Sequence, residues 1–255
     1  MLCFRFLNEL RAAELDALER YLARDKAILE LGGGTGEQAR LLTDRGYRVE
    51  SIDLPQSIYA GDRVFPVVDY DGRTIPFADA RFDIVFSSNV LEHVLDLEGM
   101  YRELDRVLGP DGIHVHAMPT GRWRFWTTLS NYADMVERIA RQVPGLIPRG
   151  VRRADLSRCY WAARSIATVL LTHAWPPRHG ERGTMLGELW TFSPWWWRRH
   201  FRQHGFEILS DAPVGLFYTG HMVLGRRWPV PLRRRLARWL GSACHVYVLR
   251  RATSR

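Results

Sequence analysis

The sequence predicts an α/β fold of seven mostly parallel strands with a helical insertion after strand five. Two observations lead to this class. Short apolar runs alternate with amphipathic stretches at short spacing between residues 8 and 118, which is typical of parallel βαβ units with right-handed crossovers. Residues 120–192 then form a connection far too long for an ordinary loop, and its two helix-like stretches indicate an inserted helical lid.

The individual elements follow from the spacing of apolar residues. Apolar runs predict strands at residues 28–31, 47–53, 64–70, 84–87, 113–118, 206–211 and 245–250. Periodic apolar faces predict helices at residues 8–23, 37–45, 97–108, 124–143, 153–171 and 193–204. Gly46 is a predicted helix C-cap, and residues 109–112 (Gly-Pro-Asp-Gly) are a predicted turn. We therefore expect a single domain over residues 1–255, with residues 120–192 as a lid within it.

A glycine-rich turn after the first strand is the most informative local signal. Gly32, Gly34 and Gly36 alternate there, and glycine permits positive φ and lets a ligand approach bare backbone. The amides of such a turn and of the helix that follows it point at the ligand. The dinucleotide pattern G-x-G-x-x-G would need glycine where Glu37 stands, which disfavours a nicotinamide-dependent oxidoreductase. The acidic Glu30, two positions before the turn, suits a ligand that carries an ammonium group.

This stretch resembles motif I of the class I S-adenosylmethionine-dependent methyltransferases. The resemblance extends to residues 75–83 (Ile-Pro-Phe-Ala-Asp-Ala-Arg-Phe-Asp) and 89–94 (Asn-Val-Leu-Glu-His-Val). It covers residues 25–119 and resumes near residue 193. It implies a Rossmann-like sheet that ends in an antiparallel pair of strands, and it implies S-adenosyl-L-methionine as the cofactor.

Acidic residues at the ends of the next strands complete a predicted cofactor pocket. Asp53 ends the second strand, where a carboxylate can accept both hydroxyls of a ribose. The resemblance implies that Asp69 accepts from the adenine amino group and that Asn89 faces the methionine portion of the cofactor. Leu54 and Tyr70 follow the two aspartates and are assigned to the same pocket. The predicted cofactor-binding set is Glu30, Gly32, Gly34, Gly36, Asp53, Leu54, Asp69, Tyr70 and Asn89.

Candidate catalytic groups come from the fourth strand exit and from the insertion. His93 follows the strand exit near the expected methyl group, and its near-neutral pKa suits a general base for a hydroxyl acceptor. A structural histidine bonded to a nearby loop is the alternative. His179 and Glu181 lie in a loop that also carries His173, arginines, prolines and glycines. A surface loop without a function does not require this combination of titratable and turn-forming residues. The spacing of His173, His179 and Glu181 matches no standard metal-ligand pattern, so we predict no metal site.

These features predict a methyltransferase that acts on a small-molecule or saccharide acceptor, most simply on oxygen. Two alternatives remain open. One is a C- or O-methylase of quinone-type aromatic substrates, a type of enzyme that shares the Leu-Glu-His-Val style of core. The other is a non-catalytic subunit that binds S-adenosylmethionine.

The net charge of +8 and the cysteines bear on partners and compartment. No Pro-Pro-Tyr-type motif follows strand four, so a nucleic-acid partner is not expected. Three scattered cysteines and a short, interrupted apolar N-terminus predict a cytoplasmic protein. The arginine-rich segment from Arg226 to Trp239 could dock on an anionic inner-membrane face as an interfacial helix. Alternatively, its apolar face packs on the last two strands and its arginines are solvated.

Overall fold

The computed structural model describes residues 4–147, 153–220 and 225–252. Seven strands form one sheet in the order β3-β2-β1-β4-β5-β7-β6. Neighbouring strands are parallel except that β7 runs antiparallel to both β5 and β6. The strands are β1 Ala27–Leu31, β2 Arg48–Asp53, β3 Val67–Asp69, β4 Phe82–Ser88, β5 Leu108–Pro119, β6 Phe206–Pro213 and β7 Cys244–Arg251. This confirms the predicted α/β class, the Rossmann-like sheet and its antiparallel end.

Helices cover both faces of this sheet, and each face has its own apolar core. The helices are α1 Phe4–Leu18, α2 Glu37–Asp44, α3 Leu97–Val107, α4 Gly121–Leu146, α5 Arg153–His173, α6 Glu188–Thr191, α7 Pro194–Gln203 and α8 Val230–Leu240. In β1, Leu29 belongs to the core that includes α3 and α7, whereas Ile28 belongs to the core that includes α1 and α2. Successive side chains of a strand point to opposite faces, so a strand buried on both faces needs a continuous apolar run.

The N-terminal helix, β3 and residues 109–112 differ from the sequence prediction in ways that change the local backbone. The N-terminal helix begins at Phe4 and ends at Leu18, and a 3-10 turn, Glu19–Tyr21, replaces its predicted last turn. Strand β3 is three residues long because Pro66 has no N–H to donate to a neighbouring strand. Residues 109–112 are a bulge within β5, since Leu108 pairs with Phe82 and Ile113 pairs with Ile84.

The insertion consists of two long helices and a segment that returns to the sheet. Helices α4 and α5 pack on each other, which confirms the two predicted helical stretches, and residues 148–152 between them lie outside the described part. Residues 174–187, which we call the return segment, lead back to α6. Among the described residues, no helix is both long enough and apolar enough to cross a membrane. The role of the insertion as a lid stays a prediction.

Helix α8 confirms a helix in the arginine-rich segment, but its arginines are not all on the surface. The sequence predicts that they face a membrane or solvent, yet Arg233 is 1% exposed. Its guanidinium donates to the carbonyls of Trp228 and Gly225 and lies over the Phe6 ring. Arg233 therefore fastens α8 to the domain, because a buried guanidinium needs several acceptors to offset its lost hydration.

A buried polar network ties α1 to the end of β7. Arg11 donates to the Glu14 carboxylate at 2.7 Å, and the Tyr218 hydroxyl donates to the other oxygen of Glu14 at 2.7 Å. The free thiol of Cys244 lies 3.2 Å from the Tyr218 hydroxyl. Cys159 is also free, and Cys3 lies outside the described residues. Because Glu14 is fully buried, its charge depends on these two donors.

Replacing Arg11 with methionine should lower the free energy of unfolding by about 3 kcal/mol, because the buried carboxylate of Glu14 loses its ion-pair partner. Arg250→Met is the matched control, since Arg250 pairs with Glu207 at 3.0 Å with both side chains about half exposed. That change should cost less than about 1 kcal/mol. Chemical denaturation followed by tryptophan fluorescence measures both. Equal small losses would show that Glu14 does not depend on Arg11.

Candidate functional site

The turn between β1 and α2 is held against β2 by its own backbone. The amides of Gly32 and Gly33 both donate to the Ile52 carbonyl, at 2.8 and 3.0 Å. Gly32, Gly34 and Gly36 have φ values of 74°, 59° and 76°, which confirms the predicted left-handed turn. A side chain on Gly32 or Gly36 would overlap Val90 or Phe65, whereas one on Gly34 would meet Tyr59 only at 3.5 Å. The backbone is therefore most open at Gly34.

Glu30 lies beneath this turn rather than beside it. Its carboxylate is 2% exposed and accepts a hydrogen bond from the Ser51 hydroxyl at 2.6 Å. A Cβ on Gly33 would lie 1.9 Å from the Ser51 oxygen and 2.9 Å from the Glu30 carboxylate. Burial, and secondarily the charge of Asp53, raises the pKa of Glu30 to about 7. Glu30 thus lies behind the Gly33 peptide, and its contact with a ligand stays a prediction.

Asp53 is held at the end of β2 by two backbone donors. The amide of Gly34 donates to one carboxylate oxygen at 2.9 Å, and the amide of Leu54 donates to the other at 2.8 Å. Each oxygen keeps a further lone pair, so the carboxylate can still accept from two hydroxyl groups. The glycine turn and the predicted ribose-binding residue are therefore one connected unit.

The other predicted residues on this side also come together. Asp69 pairs with Asp53 in the β2–β3 register, and the amide of Tyr70 donates to the Asp53 carbonyl. Burial and the charge of Asp53 raise the pKa of Tyr70 to about 12. Asp69 is half exposed and forms an ion pair with Arg63 at 2.8 Å. We call the turn with Asp53, Leu54, Asp69 and Tyr70 the glycine-turn edge.

Asn89 and Val90 connect this edge to the exit of β4. Asn89 has a positive φ of 56°, and its side chain donates to the Ser88 hydroxyl and accepts from the Cys244 thiol. Val90 is so close to Gly32 that a Cβ there would lie 2.5 Å from its methyl group. A 3-10 turn, Leu91–His93, follows directly. The side chains of Glu92 and His93 are thus fixed next to the glycine-turn edge.

The return segment brings His179 onto that 3-10 turn. The imidazole rings of His93 and His179 lie 4.9 Å apart, and each has its Nε2 about 4 Å from Oε1 of Glu92 (3.8 Å for His93 and 4.0 Å for His179). We call these three residues the Glu-His cluster. Trp123 packs edge-on against His179 at 4.6 Å between ring centres. The predicted residues His93 and His179, from distant parts of the chain, therefore share one site.

Burial governs the charges in the Glu-His cluster. It raises the pKa of Glu92 to about 8, although the charges of Arg11 and Arg182 act in the opposite direction. Burial and the neighbouring His93 lower the pKa of His179 to about 4. Burial also lowers the pKa of His93, against the attraction of Glu181. Both imidazoles are therefore neutral near pH 7.

Glu181, the third predicted catalytic residue, is oriented differently. Its carboxylate pairs with Arg178 at 3.0 Å, while its amide donates to the Glu92 carbonyl at 2.9 Å. Arg182 donates to the carbonyls of Leu91 and Val94. Glu181 and Arg182 thus fasten the return segment to the 3-10 turn, and the carboxylate that meets both imidazoles is Glu92.

A buried ion pair fixes the backbone of His179. Glu188 is fully buried and accepts from the amides of His179 and Gly180 at 2.6 and 2.7 Å. Its second oxygen lies 2.9 Å from the guanidinium of Arg124, which also donates to the Pro177 carbonyl. We call this pair the Arg124–Glu188 clamp. No sequence pattern predicts this clamp, because the two partners lie far apart along the chain and neither belongs to a motif.

Two grooves of about 540 and 560 Å³ lie away from this site. One lies between α1, α8 and the end of β6, and the other lies at the starts of α4 and α7. None of the predicted site residues lines either groove. The glycine-turn edge and the Glu-His cluster remain the candidate site, because open backbone amides, carboxylates and titratable groups converge there among the residues that the structure describes.

The glycine-turn edge fits S-adenosylmethionine. An adenosine-containing ligand needs close backbone approach and a carboxylate for the ribose, and these are supplied at Gly34 and by Asp53. Asp69 and Tyr70 lie beside Asp53, and their contact with the base stays a prediction. Glu30 lies behind the turn, and its carboxylate is partly ionised near pH 7 because burial raises its pKa to about 7; in the ionised form it favours a cationic ligand end over a pyrophosphate.

Known proteins resemble this chain in its first half. Residues 29–116 match the family model described as a methyltransferase domain. A malonyl-[acyl-carrier protein] O-methyltransferase of Enterobacter lignolyticus is 33% identical over 112 residues, which are 42% of this chain and 45% of that protein. A sarcosine/dimethylglycine N-methyltransferase of Halorhodospira halochloris is 30% identical over 116 residues, which are 41% of this chain and 42% of that protein. The chain spans less than half the length of these curated relatives.

The fold has counterparts over nearly the whole chain. A solved structure of an S-adenosylmethionine-dependent methyltransferase from Thermotoga maritima has a TM-score of 0.55 at 16% identity. The match covers 96% of this chain and 91% of that one. At this identity the likeness concerns the fold alone.

The raised pKa of Glu30 predicts how stability depends on pH. The folded protein retains the Glu30 proton up to a pKa of about 7, whereas the unfolded chain loses it near the ordinary value of 4.5. Stability should therefore fall as the pH rises from 4.5 to 7, by as much as about 3 kcal/mol from this group. Glu30→Gln should remove that part of the decline, as measured by denaturation at several pH values.

Glu50→Gln is the matched control for this experiment, because Glu50 adjoins Ser51 on β2 but has a side chain that is two-fifths exposed. It should keep the wild-type pH dependence. If Glu30→Gln showed the same decline as the wild type, Glu30 would not be the titrating group.

Proposed function

We propose that this chain, whose residues 29–116 belong to the class I S-adenosylmethionine-dependent methyltransferase family, transfers a methyl group to an oxygen of a small-molecule or saccharide acceptor. The proposal is supported by one observation above all. Val90 packs on Gly32, so the Glu-His cluster begins immediately beside the edge that fits the cofactor. A methyl donor and a set of proton-accepting groups are thereby neighbours.

The glycine-turn edge accounts for the cofactor half of the reaction. Asp53 accepts from the ribose hydroxyls, and the open backbone at Gly34 receives the neighbouring part of the ligand. When bound, the cofactor supplies an electrophilic methyl group on a sulfonium. The protein then needs only to hold the acceptor atom close to that methyl group and in line with the sulfur.

The Glu-His cluster accounts for the acceptor half. A hydroxyl acceptor must lose its proton as the methyl group arrives, and a neutral imidazole can receive it. His93 and His179 are neutral near pH 7 and are about two-fifths and one-third exposed. The rings of Trp123 and Phe192 pack against His179 and are buried, so they support the imidazole from the protein side.

The choice of oxygen over nitrogen depends on this cluster. The relatives include one named as an O-methyltransferase and one named as an N-methyltransferase, so resemblance does not decide the acceptor atom. A neutral amine already has a free lone pair and needs less help from a base, whereas a hydroxyl needs one. Two neutral imidazoles beside the donor edge therefore favour oxygen.

Two variants should separate the halves of the proposed site. Asp53→Ala should weaken binding of S-adenosylmethionine by about 1.5–3 kcal/mol, on the order of 10- to 100-fold in Kd, because the ribose loses a charged acceptor. His179→Ala should retain cofactor affinity and lower turnover. Calorimetry measures binding, and turnover is measured as a mass gain of about 14 daltons, one methylene, in metabolite pools incubated with cofactor.

His173→Ala is the control for His179→Ala, because His173 belongs to the same insertion but contacts Asp134 instead. It should leave both readouts unchanged. Unaltered cofactor affinity in Asp53→Ala would place the cofactor elsewhere. Cofactor binding without a methylated product from any acceptor pool would favour the non-catalytic subunit.

Peripheral contact with an anionic membrane through residues 226–239 is a further part of this proposal. Support comes from Trp239, which is 85% exposed, and from Arg235 and Arg238, which are exposed on the same helix. Arg233 is excluded from such contact by its burial, and the side chain of Arg226 lies outside the described part. Exposed tryptophan flanked by arginine is typical of an interfacial helix.

Trp239→Ala should therefore reduce sedimentation with phosphatidylglycerol vesicles at low salt, since each nearby arginine adds only about 1 kcal/mol and the indole anchors the helix. High salt should release the wild-type protein. Trp175→Ala is the control, because Trp175 is 70% exposed in the return segment. Failure of the wild type to bind vesicles at low salt would exclude the membrane contact.

A further inference from the structure

We infer that the Glu-His cluster is a binding site for one divalent transition-metal ion, and that Zn²⁺ suits its donor set. The three residues each offer one donor atom, and these atoms lie within 4.8 Å of one another. Two imidazole nitrogens and one carboxylate oxygen are ligands that Zn²⁺ uses in sites with an open coordination position. The sequence predicted no metal here, because His179 is far from Glu92 and His93 along the chain.

The distances between donors are compatible with coordination after small side-chain movements. In a tetrahedral site with bonds of about 2.1 Å, neighbouring donor atoms lie about 3.4 Å apart. The two imidazoles have their Nε2 atoms 3.8 and 4.0 Å from Oε1 of Glu92. We expect rotation of the two histidine side chains, both partly exposed, to close such gaps while the backbone stays in place. The backbone of His179 is already fixed by the Arg124–Glu188 clamp.

The carboxylate of Glu92 provides an independent reason for a cation. It is 1% exposed, and neither of its oxygens makes a hydrogen bond with any other residue that the structure describes. A buried carboxylate is costly unless it is paired or coordinates a metal. The two guanidinium groups that act on it electrostatically have other hydrogen-bond partners, since Arg11 donates to Glu14 and Arg182 donates to backbone carbonyls. A metal ion would satisfy this carboxylate.

Three protein ligands leave at least one position on the ion for water or substrate. His93 and His179 are both partly exposed, so an open position is accessible to a solvent-borne ligand. This site deepens the proposed function. Metal binding itself does not depend on that function; only the role given to the ion in methyl transfer rests on it. With the ion bound, the lone pairs of His93 and His179 would be used for coordination. The metal would then acidify an acceptor hydroxyl at the open position, which would lose its proton to solvent instead of to an imidazole.

Direct binding of the metal alone tests the inference. Tag-free protein is treated with a chelator, dialysed and titrated with Zn²⁺ by calorimetry and with Co²⁺ by visible absorption. We expect one equivalent of either ion per chain and a Co²⁺ spectrum typical of four or five ligands. Glu92→Gln, which preserves shape, and His179→Ala should each weaken binding by at least about 100-fold, the upper end of the loss for an outer-shell partner.

His93→Asn provides a variant at an exposed position, so its loss of binding cannot be attributed to misfolding of the core. His204→Ala is the matched control, because His204 also approaches a carboxylate, with its Nε2 3.6 Å from Glu98, outside the cluster. Its affinity should equal that of the wild type. Absence of stoichiometric binding in the wild type, or equal affinity in Glu92→Gln and His179→Ala, would overturn the metal site.

The same titrations distinguish this inference from the proposed function. Asp53→Ala should bind Zn²⁺ as the wild type does while losing cofactor affinity. A wild-type protein that binds S-adenosylmethionine but no metal would overturn the metal site and leave the proposed function in place. A protein that binds metal but no S-adenosylmethionine would overturn the proposed function and leave the metal site in place.

Discussion

The close packing of Gly33 on Ser51 and Glu30 is the constraint on which the candidate site depends. No side chain fits at Gly33, because a Cβ would lie 1.9 Å from the Ser51 oxygen. The turn can therefore sit flat on β2 and donate two amides to Ile52. That contact in turn brings the Gly34 amide to Asp53, so one local fit positions both the open backbone and the carboxylate at the strand ends.

Close packing at Gly32 connects the same turn to the Glu-His cluster. Val90 occupies the space that a side chain on Gly32 would need, and it precedes the 3-10 turn of Glu92 and His93. The cofactor edge and the Glu-His cluster are therefore positioned by direct packing between two neighbouring parallel strands. In sheets of this kind, ligands bind outside the carboxyl ends of the strands, where loops are free to carry different chemistry.

A buried ion pair positions part of the insertion against the sheet. The Arg124–Glu188 clamp is desolvated, so its net contribution to stability is small or negative compared with an apolar pair. It fixes the amides of His179 and Gly180 and hence the approach of one imidazole to the sheet. We therefore interpret the clamp as a positioning element. Removing either partner would leave a buried charge without its counterpart.

The sequence by itself determined the class of the fold and most of the glycine-turn edge. Those signals are local, since an apolar run, an alternating set of glycines and an aspartate after a strand lie within a few residues of one another. Asp53, Asp69 and the turn could be assigned together because parallel strands end at the same edge. The orientation of Glu30 could not, because its burial depends on Ser51 of the neighbouring strand.

Only the tertiary structure decided which residues form the Glu-His cluster. His179 meets His93 and Glu92, and Glu188 meets Arg124, across long stretches of chain whose approach depends on how the insertion folds back. The same holds for Arg233, whose burial reflects carbonyls from Gly225 and Trp228 rather than the helical pattern around it. Periodicity records which side of an element is apolar, but only packing between distant elements determines which polar groups meet.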